Sequence, residues 1–224
     1  MKKIIFALVC VVSLASCGGN ETTTSAETPK QDSIVPQVCT YSYDSSATEI
    51  GFGAFKFTEK KEVKGSFLKF TVDSTKEGEV PFQVFDGAVI KIDIEGLSTK
   101  DPSRDSNVKT GFFKVMDSTT FITGKIKGFG VVTTYYHAYK KGYVDAIVEL
   151  KMNNVVKEYY MKLDINGDDV MLTGTINLDD FNAQKALTSL NKACKDLHKG
   201  SDGISKTWNE VNIYVSTKLK NSCK

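Results

Sequence analysis

The chain has 224 residues, of which 41% are hydrophobic and 25% are charged, and its formal net charge at pH 7 is only +2. The 29 basic and 27 acidic residues are interspersed along the chain. Because the two kinds of charge nearly balance and are mixed, the chain has no basic face that would attract nucleic acid by counterion release. The composition therefore excludes a protein that binds nucleic acid through such a face.

The first sixteen residues have the pattern of a secretory signal. Two lysines precede an apolar run over residues 4–14, which is too short to cross a bilayer. The segment LASC, residues 14–17, resembles the bacterial lipobox, in which the cysteine is diacylated and becomes the mature N-terminus. We predict a signal peptide at residues 1–16 and lipidation at Cys17. The alternative is an ordinary signal peptide that ends on a chance cysteine.

Loss of that segment removes Lys2 and Lys3, so the mature chain would carry 27 basic and 27 acidic residues. Gly18 follows the cysteine, where an aspartate would favour retention at the inner membrane. We therefore expect an outer-membrane anchor with the body facing the periplasm, since two acyl chains are sufficient for stable attachment. Residues 17–37 are rich in Thr, Ser, Glu and Pro and predict a lipidated flexible tether.

Residues 38–224 have the size of one domain, and a two-residue hydrophobic period dominates them. Asn153-Asn154 and the run from Asn166 to Asp168 suit tight hairpins, because Asn, Asp and Gly tolerate positive φ. Antiparallel strands in this order predict an all-β fold with an eight-stranded barrel, and a two-sheet sandwich is the alternative. The eight predicted strands cover residues 50–57, 65–72, 88–97, 119–130, 142–152, 155–165, 170–181 and 211–220.

Two segments interrupt the strands. Residues 101–117 begin with Asp-Pro and suit a short helix or loop that caps one mouth of the barrel. A helix is predicted before the last strand, with Asp180 as its N-cap and Gly200 as its stop. The apolar stripe of this helix includes Leu187, Leu190, Cys194 and Leu197.

Cys194 and His198 form the one pair that resembles a reactive site. A catalytic thiol needs a partly exposed, electropositive setting, whereas this cysteine shares its helix face with leucines. Two side chains are too few to hold zinc, and His137 is the only other histidine. Packing is therefore favoured over a disulfide, a nucleophile or a metal ligand. We predict no catalytic residue, no metal site and no cofactor.

The body resembles the YceI-like polyisoprenoid-binding family over essentially its whole length. The most specific segment is SRDSNVKTGFF, which places the Arg-Asp pair of the family at Arg104 and Asp105 and its Phe-Phe pair at Phe112 and Phe113. Asp179 is a departure, since many members have an arginine there. The segment SRDSNVKTGFF is part of a longer match at residues 94–116, and the other matching segments lie at residues 49–67, 121–128, 174–187 and 207–219.

This resemblance implies a secreted or periplasmic protein with a lipocalin-like barrel that holds an isoprenoid or another long-chain amphiphile in an apolar tunnel. It implies binding and not catalysis. Arg104 is a candidate contact for the ligand headgroup near one mouth, or it pairs with Asp101 or Asp105. Strand alternation turns one apolar face inward. The predicted lining consists of Ile50, Phe52, Leu68, Phe70, Ile90 and Ile92, covered by Phe112, Phe113, Leu187 and Leu190.

A filled interior is the alternative, because phenylalanines on alternating strands are most often ordinary core. The protein would then be a structural or interaction lipoprotein of the cell envelope, with no small-molecule ligand.

Three cysteines of the body allow three pairings. In an antiparallel barrel the first and last strands meet, which brings the strand that begins near Thr40 beside the one that ends near Leu219. Cys39 and Cys223 flank these points, and an oxidising compartment permits a bond between them. We favour this disulfide, with Cys194 left as a free thiol, over either pairing that includes Cys194.

Overall fold

The computed structural model describes residues 38–116, 120–130 and 141–223. Within these ranges it has two α-helices, α1 (Pro102–Gly111) and α2 (Gln184–Ala193). Its twelve strands are β1 (Cys39–Ser42), β2 (Glu49–Lys56), β3 (Lys61–Phe67), β4 (Phe70–Asp73), β5 (Val89–Asp93), β6 (Leu97–Ser98), β7 (Phe121–Phe129), β8 (Lys141–Met152), β9 (Val155–Asn166), β10 (Asp169–Asn177), β11 (Thr207–Lys218) and β12 (Lys220–Cys223).

Ten strands form one antiparallel sheet, in the order β4-β5-β7-β8-β9-β10-β11-β2-β3-β6. The sheet is strongly curled into a half-barrel. The predicted eight-stranded closed barrel is therefore wrong, although the all-β class, the antiparallel pairing and the meander from β7 to β11 are confirmed. Strands β1 and β12 pair with each other in a separate two-stranded sheet.

The sheet has ten strands and not eight because two of the predicted strands are broken. The predicted strand 65–72 splits at Leu68 and Lys69 into β3 and β4, and a 3₁₀ turn at Ile94–Gly96 separates β5 from β6. The two breaks contact each other: the Leu68 amide donates to the Gly96 carbonyl at 2.8 Å. A Cβ on Gly96 would lie 2.5 Å from the Lys69 backbone nitrogen, so only glycine allows the two segments to approach this closely.

The predicted hairpins are confirmed. Asn153 and Asn154 connect β8 to β9 with φ values of 51° and 58°, and Gly167 between β9 and β10 has φ of 65°. The two strands that the first turn joins are long, and β8 and β9 each have 12 residues. The Asn153 side chain also donates to the Phe181 carbonyl at 2.8 Å, which fixes the hairpin to the 3₁₀ turn that follows β10.

Both helices lie where the interruptions in the strand pattern predict them, but α2 is shorter than expected. Asp180 is not its N-cap, because Leu178–Phe181 forms a 3₁₀ turn and Asn182 then takes a left-handed conformation. The Asp180 carboxylate instead accepts a hydrogen bond from the Tyr159 hydroxyl at 2.7 Å. Gly200 is not the stop either, since α2 ends at Ala193. Helix α1 begins as the Asp-Pro pair predicts, with Asp101 as N-cap.

The concave face of the sheet carries the core. Every second side chain is buried from Val144 to Val148 on β8 and from Met161 to Ile165 on β9. Helices α1 and α2 pack against each other, and α2 also contacts β11. In the described ranges, neither helix has the length and apolar composition needed to cross a bilayer.

Cys39 of β1 and Cys223 of β12 are directly opposite in the register and are joined by a disulfide. This is the pairing that the sequence analysis favoured. Cys194 is a free, buried thiol at the C-cap of α2.

Candidate functional site

The interior of the half-barrel contains three cavities that share walls. The deep cavity, about 90 Å³, lies on the concave face of the sheet and is lined almost wholly by aliphatic side chains. Three of the ligand-binding residues predicted from the sequence are in its wall: Ile50, Ile90 and Ile92. Five residues separate it from the next cavity and line both: Phe67, Ile122, Met152, Ile176 and Ile213.

The middle cavity, about 120 Å³, lies beneath the two helices. Its covering wall contains Phe112 and Phe113, whose rings pack edge to face with centroids 5.0 Å apart. Leu187 and Leu190 of α2 complete that wall. The wall of this cavity is also almost wholly apolar, so the two inner cavities suit a hydrocarbon chain better than a polar headgroup.

The mouth cavity, about 160 Å³, is where the wall becomes polar. It shares five residues with the middle cavity: Phe52, Ala54, Val108, Leu190 and Thr207. Its remaining wall combines apolar groups with charged and hydrogen-bonding side chains from β2, from α1 with the residues before it, and from the segment after α2. These polar side chains belong to Lys56, Thr99, Asp101, Ser103, Arg104, Asn107, Cys194 and His198.

Phe52 stands at the junction of the middle and mouth cavities because its strand partner is a glycine. Phe52 is opposite Gly65 in the β2–β3 register, so both face the interior. A Cβ on Gly65 would lie 2.4 Å from the tip of the Phe52 ring. The absence of a side chain at this position therefore allows the ring to lie across β3.

Nine of the eleven residues selected from the sequence as ligand-binding line these cavities. The strand residues are Ile50, Phe52, Ile90 and Ile92, the covering residues are Phe112, Phe113, Leu187 and Leu190, and Arg104 lies at the mouth. Their contact with a ligand stays a prediction.

Leu68 is the one correction among the strand residues, whereas Phe70 is opposite Ile92 in the register and packs against the core. Leu68 is 71% exposed, and Phe70 lines none of the three cavities. An unbroken strand would put Leu68 on the same face as Phe70, but the break at Leu68 and Lys69 shifts the alternation by one residue and turns Leu68 outward. Phe67 takes the inner position instead and is 7% exposed.

Sequence reasoning missed much of the inner wall. The later strands supply Ile122, Met152, Ile176 and Ile213, all at alternating positions that the strand pattern already predicts to face one way. The same period-two rule would have found them. Lys56 and Thr207 at the mouth carry no such signal, because each belongs to the polar end of a strand.

Arg104 pairs with Asp101, one of the two partners considered from the sequence. Its Nη2 atom lies 3.4 Å from Asp101 Oδ2, and its backbone amide donates to Asp101 Oδ1 at 3.0 Å. Asp105 has a different role: its Oδ1 accepts from the Thr99 amide at 2.7 Å and the Thr99 hydroxyl at 2.6 Å. Arg104 thus lines the mouth cavity, whereas Asp105 holds the segment that precedes α1.

Lys56 extends from the end of β2 towards the segment after α2. Its Nζ donates to the Leu197 carbonyl at 3.1 Å and lies 4.4 Å from the centroid of the Phe57 ring. Burial, followed by the nearby positive charges of Arg104 and Lys61, lowers the pKa of Lys56. The same cause acts on His198, whose pKa is lowered by burial and then by Lys56 and Arg104.

Cys194 and His198 lie together at the mouth without the features of a catalytic pair. Burial raises the pKa of the Cys194 thiol, which disfavours the thiolate that a nucleophile requires. His198 Nδ1 is 2.7 Å from the Thr207 hydroxyl, so that ring nitrogen is engaged by β11. Across residues 38–116, 120–130 and 141–223, no cluster of three or more His, Cys, Asp or Glu side chains is placed to hold a metal ion.

A comparison with known protein families finds a match. The model of the YceI-like domain matches residues 41–219. The chain belongs to this family. A polyisoprenoid-binding domain from Saccharophagus degradans, implicated in plant cell wall breakdown, is similar in structure with a TM-score of 0.55 and 13% identity. The match covers 83% of this chain and 99% of that one.

Two further solved structures are similar over most of the chain. BcnA from Burkholderia cenocepacia has a TM-score of 0.54 at 13% identity, covering 80% of this chain and 99% of that one. A YceI protein from Campylobacter jejuni has a TM-score of 0.50 at 16% identity, covering 75% and 89%. At such identities the likeness shows a shared fold. None of the curated proteins matches this sequence.

Proposed function

We propose that the protein binds an isoprenoid-like or other long-chain amphiphile, with the chain in the deep and middle cavities and the headgroup at the mouth. The observation that carries this proposal is the change in wall chemistry along three cavities with shared walls. Two are apolar, and the third carries charged and hydrogen-bonding groups at one end. That order matches the two parts of an amphiphile.

Burial of the chain would supply most of the affinity. Each methylene removed from water contributes about 0.8 kcal/mol, so a chain of about ten carbons needs few polar contacts to bind firmly. Ile122 and Met152 separate the two inner cavities, so these side chains would have to move for one continuous chain to occupy both. Methionine is well suited to this, since its unbranched side chain adapts to irregular spaces.

The first test is to identify what the purified protein carries. Organic extraction followed by mass spectrometry should recover a stoichiometric long-chain molecule. Recovery of no such molecule, together with no uptake of a fluorescent long-chain probe, would favour the alternative of a structural or interaction lipoprotein with a filled interior.

A blocking substitution tests where the chain binds. Ala54 lines both the middle and mouth cavities, so Ala54→Phe should fill their junction and reduce probe uptake at least about tenfold. Leu68→Phe places the same side chain at a residue that is 71% exposed and should leave uptake unchanged. Equal uptake by folded Ala54→Phe protein would place the binding site elsewhere.

We further propose that the protein is a lipoprotein of the bacterial cell envelope, anchored through Cys17 and facing the periplasm. Cys17 lies outside the described residues, and the proposal rests on the signal and lipobox pattern. The Cys39–Cys223 disulfide supports it, because such bonds persist in oxidising compartments. On this proposal the anchor holds a carrier beside the membrane from which an apolar ligand would come.

A further inference from the structure

The mouth cavity has an excess of positive charge. Two cations line it, Lys56 from β2 and Arg104 from α1, against a single carboxylate, Asp101. That carboxylate already serves as the N-cap of α1. Its ion pair with Arg104 is long, at 3.4 Å, and uses only one guanidinium nitrogen. Arginine has five donors, so this single contact leaves the guanidinium able to bind a second acceptor.

Lys56 is less compensated still. In the described part of the chain no carboxylate lies within ion-pair distance of its ammonium group, whose hydrogen-bond acceptor is the Leu197 carbonyl. A lysine held away from carboxylates and beside an arginine is an unfavourable arrangement, which an anion placed between the two would relieve. The lowered pKa values of Lys56 and His198 have this same repulsion among their causes.

Neutral donors surround these cations. Asn107 and Ser103 of α1 also line the cavity. An anionic headgroup would thus meet charge-assisted hydrogen bonds from Lys56 and Arg104 and neutral ones from α1, and charge-assisted bonds are roughly twice as strong as neutral ones.

We infer that the ligand class selected by this site is an amphiphile with an anionic headgroup, such as a carboxylate or a phosphate ester, held between Lys56 and Arg104. This inference rests on the proposed function, because the chain in the inner cavities is what places the headgroup at the mouth. A neutral alcohol would gain only the neutral hydrogen bonds. A cationic amine would be repelled.

A set of ligands with one chain and different headgroups tests the inference. Hexadecanoate, hexadecyl phosphate, hexadecanol and hexadecylamine would each compete with a neutral fluorescent long-chain probe on the full protein. The two anions should bind at least about tenfold more tightly than the alcohol, as one charge-assisted contact predicts, and the amine should bind most weakly. Their advantage should shrink as salt is added, because the mouth is partly open to solvent.

Variants assign the preference to the two cations. Lys56→Gln combined with Arg104→Gln should bring the ratio of anion to alcohol affinity close to one. Lys64→Gln is the matched control: this lysine is 73% exposed on β3 and lines none of the three cavities, so the ratio should stay as in the native protein. The ratio is informative even if the double variant loses some stability, because both ligands share one chain.

The outcomes separate this inference from the function on which it rests. If no hexadecyl compound competes, the proposed function itself fails. If all four bind equally, or if the double variant keeps the native ratio, chain binding stands and the anionic preference is wrong. Inorganic phosphate alone should fail to displace the probe at millimolar concentration. Displacement by phosphate would mean that the mouth is a site for a free anion and not for a lipid headgroup.

Discussion

Burial governs the chemistry of Cys194 and His198 more than their spacing along the chain does. Cys194 is 5% exposed at the end of α2, and His198 lies one turn further on, where its amide donates to the Cys194 carbonyl at 2.9 Å. The carbonyl of His198 accepts from Lys206 at 3.0 Å, so the segment after α2 is held against the start of β11. Both side chains therefore reach the mouth cavity from a fixed backbone.

His198 should make the protein less stable in mild acid. Its pKa is lowered in the folded state by burial and by Lys56 and Arg104, from an ordinary value of 6.5. The unfolded chain then binds more protons between 6.5 and the lower folded value, so stability should fall as pH falls through that window. One proton gives a slope of at most about 1.4 kcal/mol per pH unit.

The check is urea unfolding between pH 7.5 and 4.5 for the native protein and for His198→Gln. The variant should lack the part of the acid loss that belongs to His198, while the losses that arise from carboxylates remain in both. Identical pH profiles would show that His198 titrates normally in the folded protein.

Cys194 should react slowly with thiol reagents in the folded protein. Burial both hides the sulfur and raises its pKa, so little accessible thiolate exists near pH 8. Iodoacetamide labelling at Cys194, followed by peptide mass spectrometry, should be at least about tenfold slower in native protein than in urea-unfolded protein. Because Cys194 lines the mouth cavity, hexadecanoate should slow it further. Native labelling at the unfolded rate would contradict this.

At the scale of elements, the β8–β9 hairpin depends on two asparagines in left-handed conformations. Asn154 has φ of 58°, where most residues with a Cβ are strained. Asn154→Ala should therefore lower the free energy of unfolding by about 1 kcal/mol, whereas Asn154→Gly should be nearly neutral. Urea denaturation of both variants checks this, and an equal loss in both would mean that the side chain, not the backbone, sets the cost.

The disulfide joins the two-stranded sheet formed by β1 and β12. It closes a loop with a sequence separation of 184 residues. Replacing both Cys39 and Cys223 by serine should cost about 2–5 kcal/mol of unfolding free energy, mainly because the unfolded chain gains freedom. Denaturation of this variant beside Cys194→Ser, which removes only a free thiol, isolates the effect of the bond. A loss no larger than that of the control would contradict this expectation.

The elements that could be predicted from the sequence are those that turn residues and hydrophobic alternation determine locally. Asn-rich turns and period-two alternation place β7 to β11 correctly, and Asp101-Pro102 starts α1 as expected. The sequence does not reveal the break at Leu68 and Lys69, because it arises from a contact with Gly96 that is distant along the chain. The error at Asp180 has a similar origin, since Tyr159 on β9 takes the carboxylate that would otherwise cap α2.

At the scale of the whole molecule, the curl of the sheet decides what the site can be. Residues from β2, from β5 and from β7 to β11 reach one concave face, and two short helices cover part of it. Alternation alone identified Ile50, Ile90 and Ile92, because facing inward is a property of each strand. The charged mouth could not be predicted in this way, since Lys56, Arg104 and His198 come from three separate segments that only the fold brings together.

A lipid anchor would keep such a carrier at the membrane, and Cys17 is the residue on which that proposal depends. Expression of the full chain in a bacterium should place the native protein in the membrane fraction, with a mass that shows the loss of residues 1–16 and the gain of acyl chains. Cys17→Ser should instead appear in the soluble fraction, because one substitution removes both acyl chains and the remaining surface is formally neutral. The body should fold equally well in both, with the Cys39–Cys223 bond and the same uptake of the neutral probe. If native protein and Cys17→Ser fractionate alike, the chain is not anchored through this cysteine.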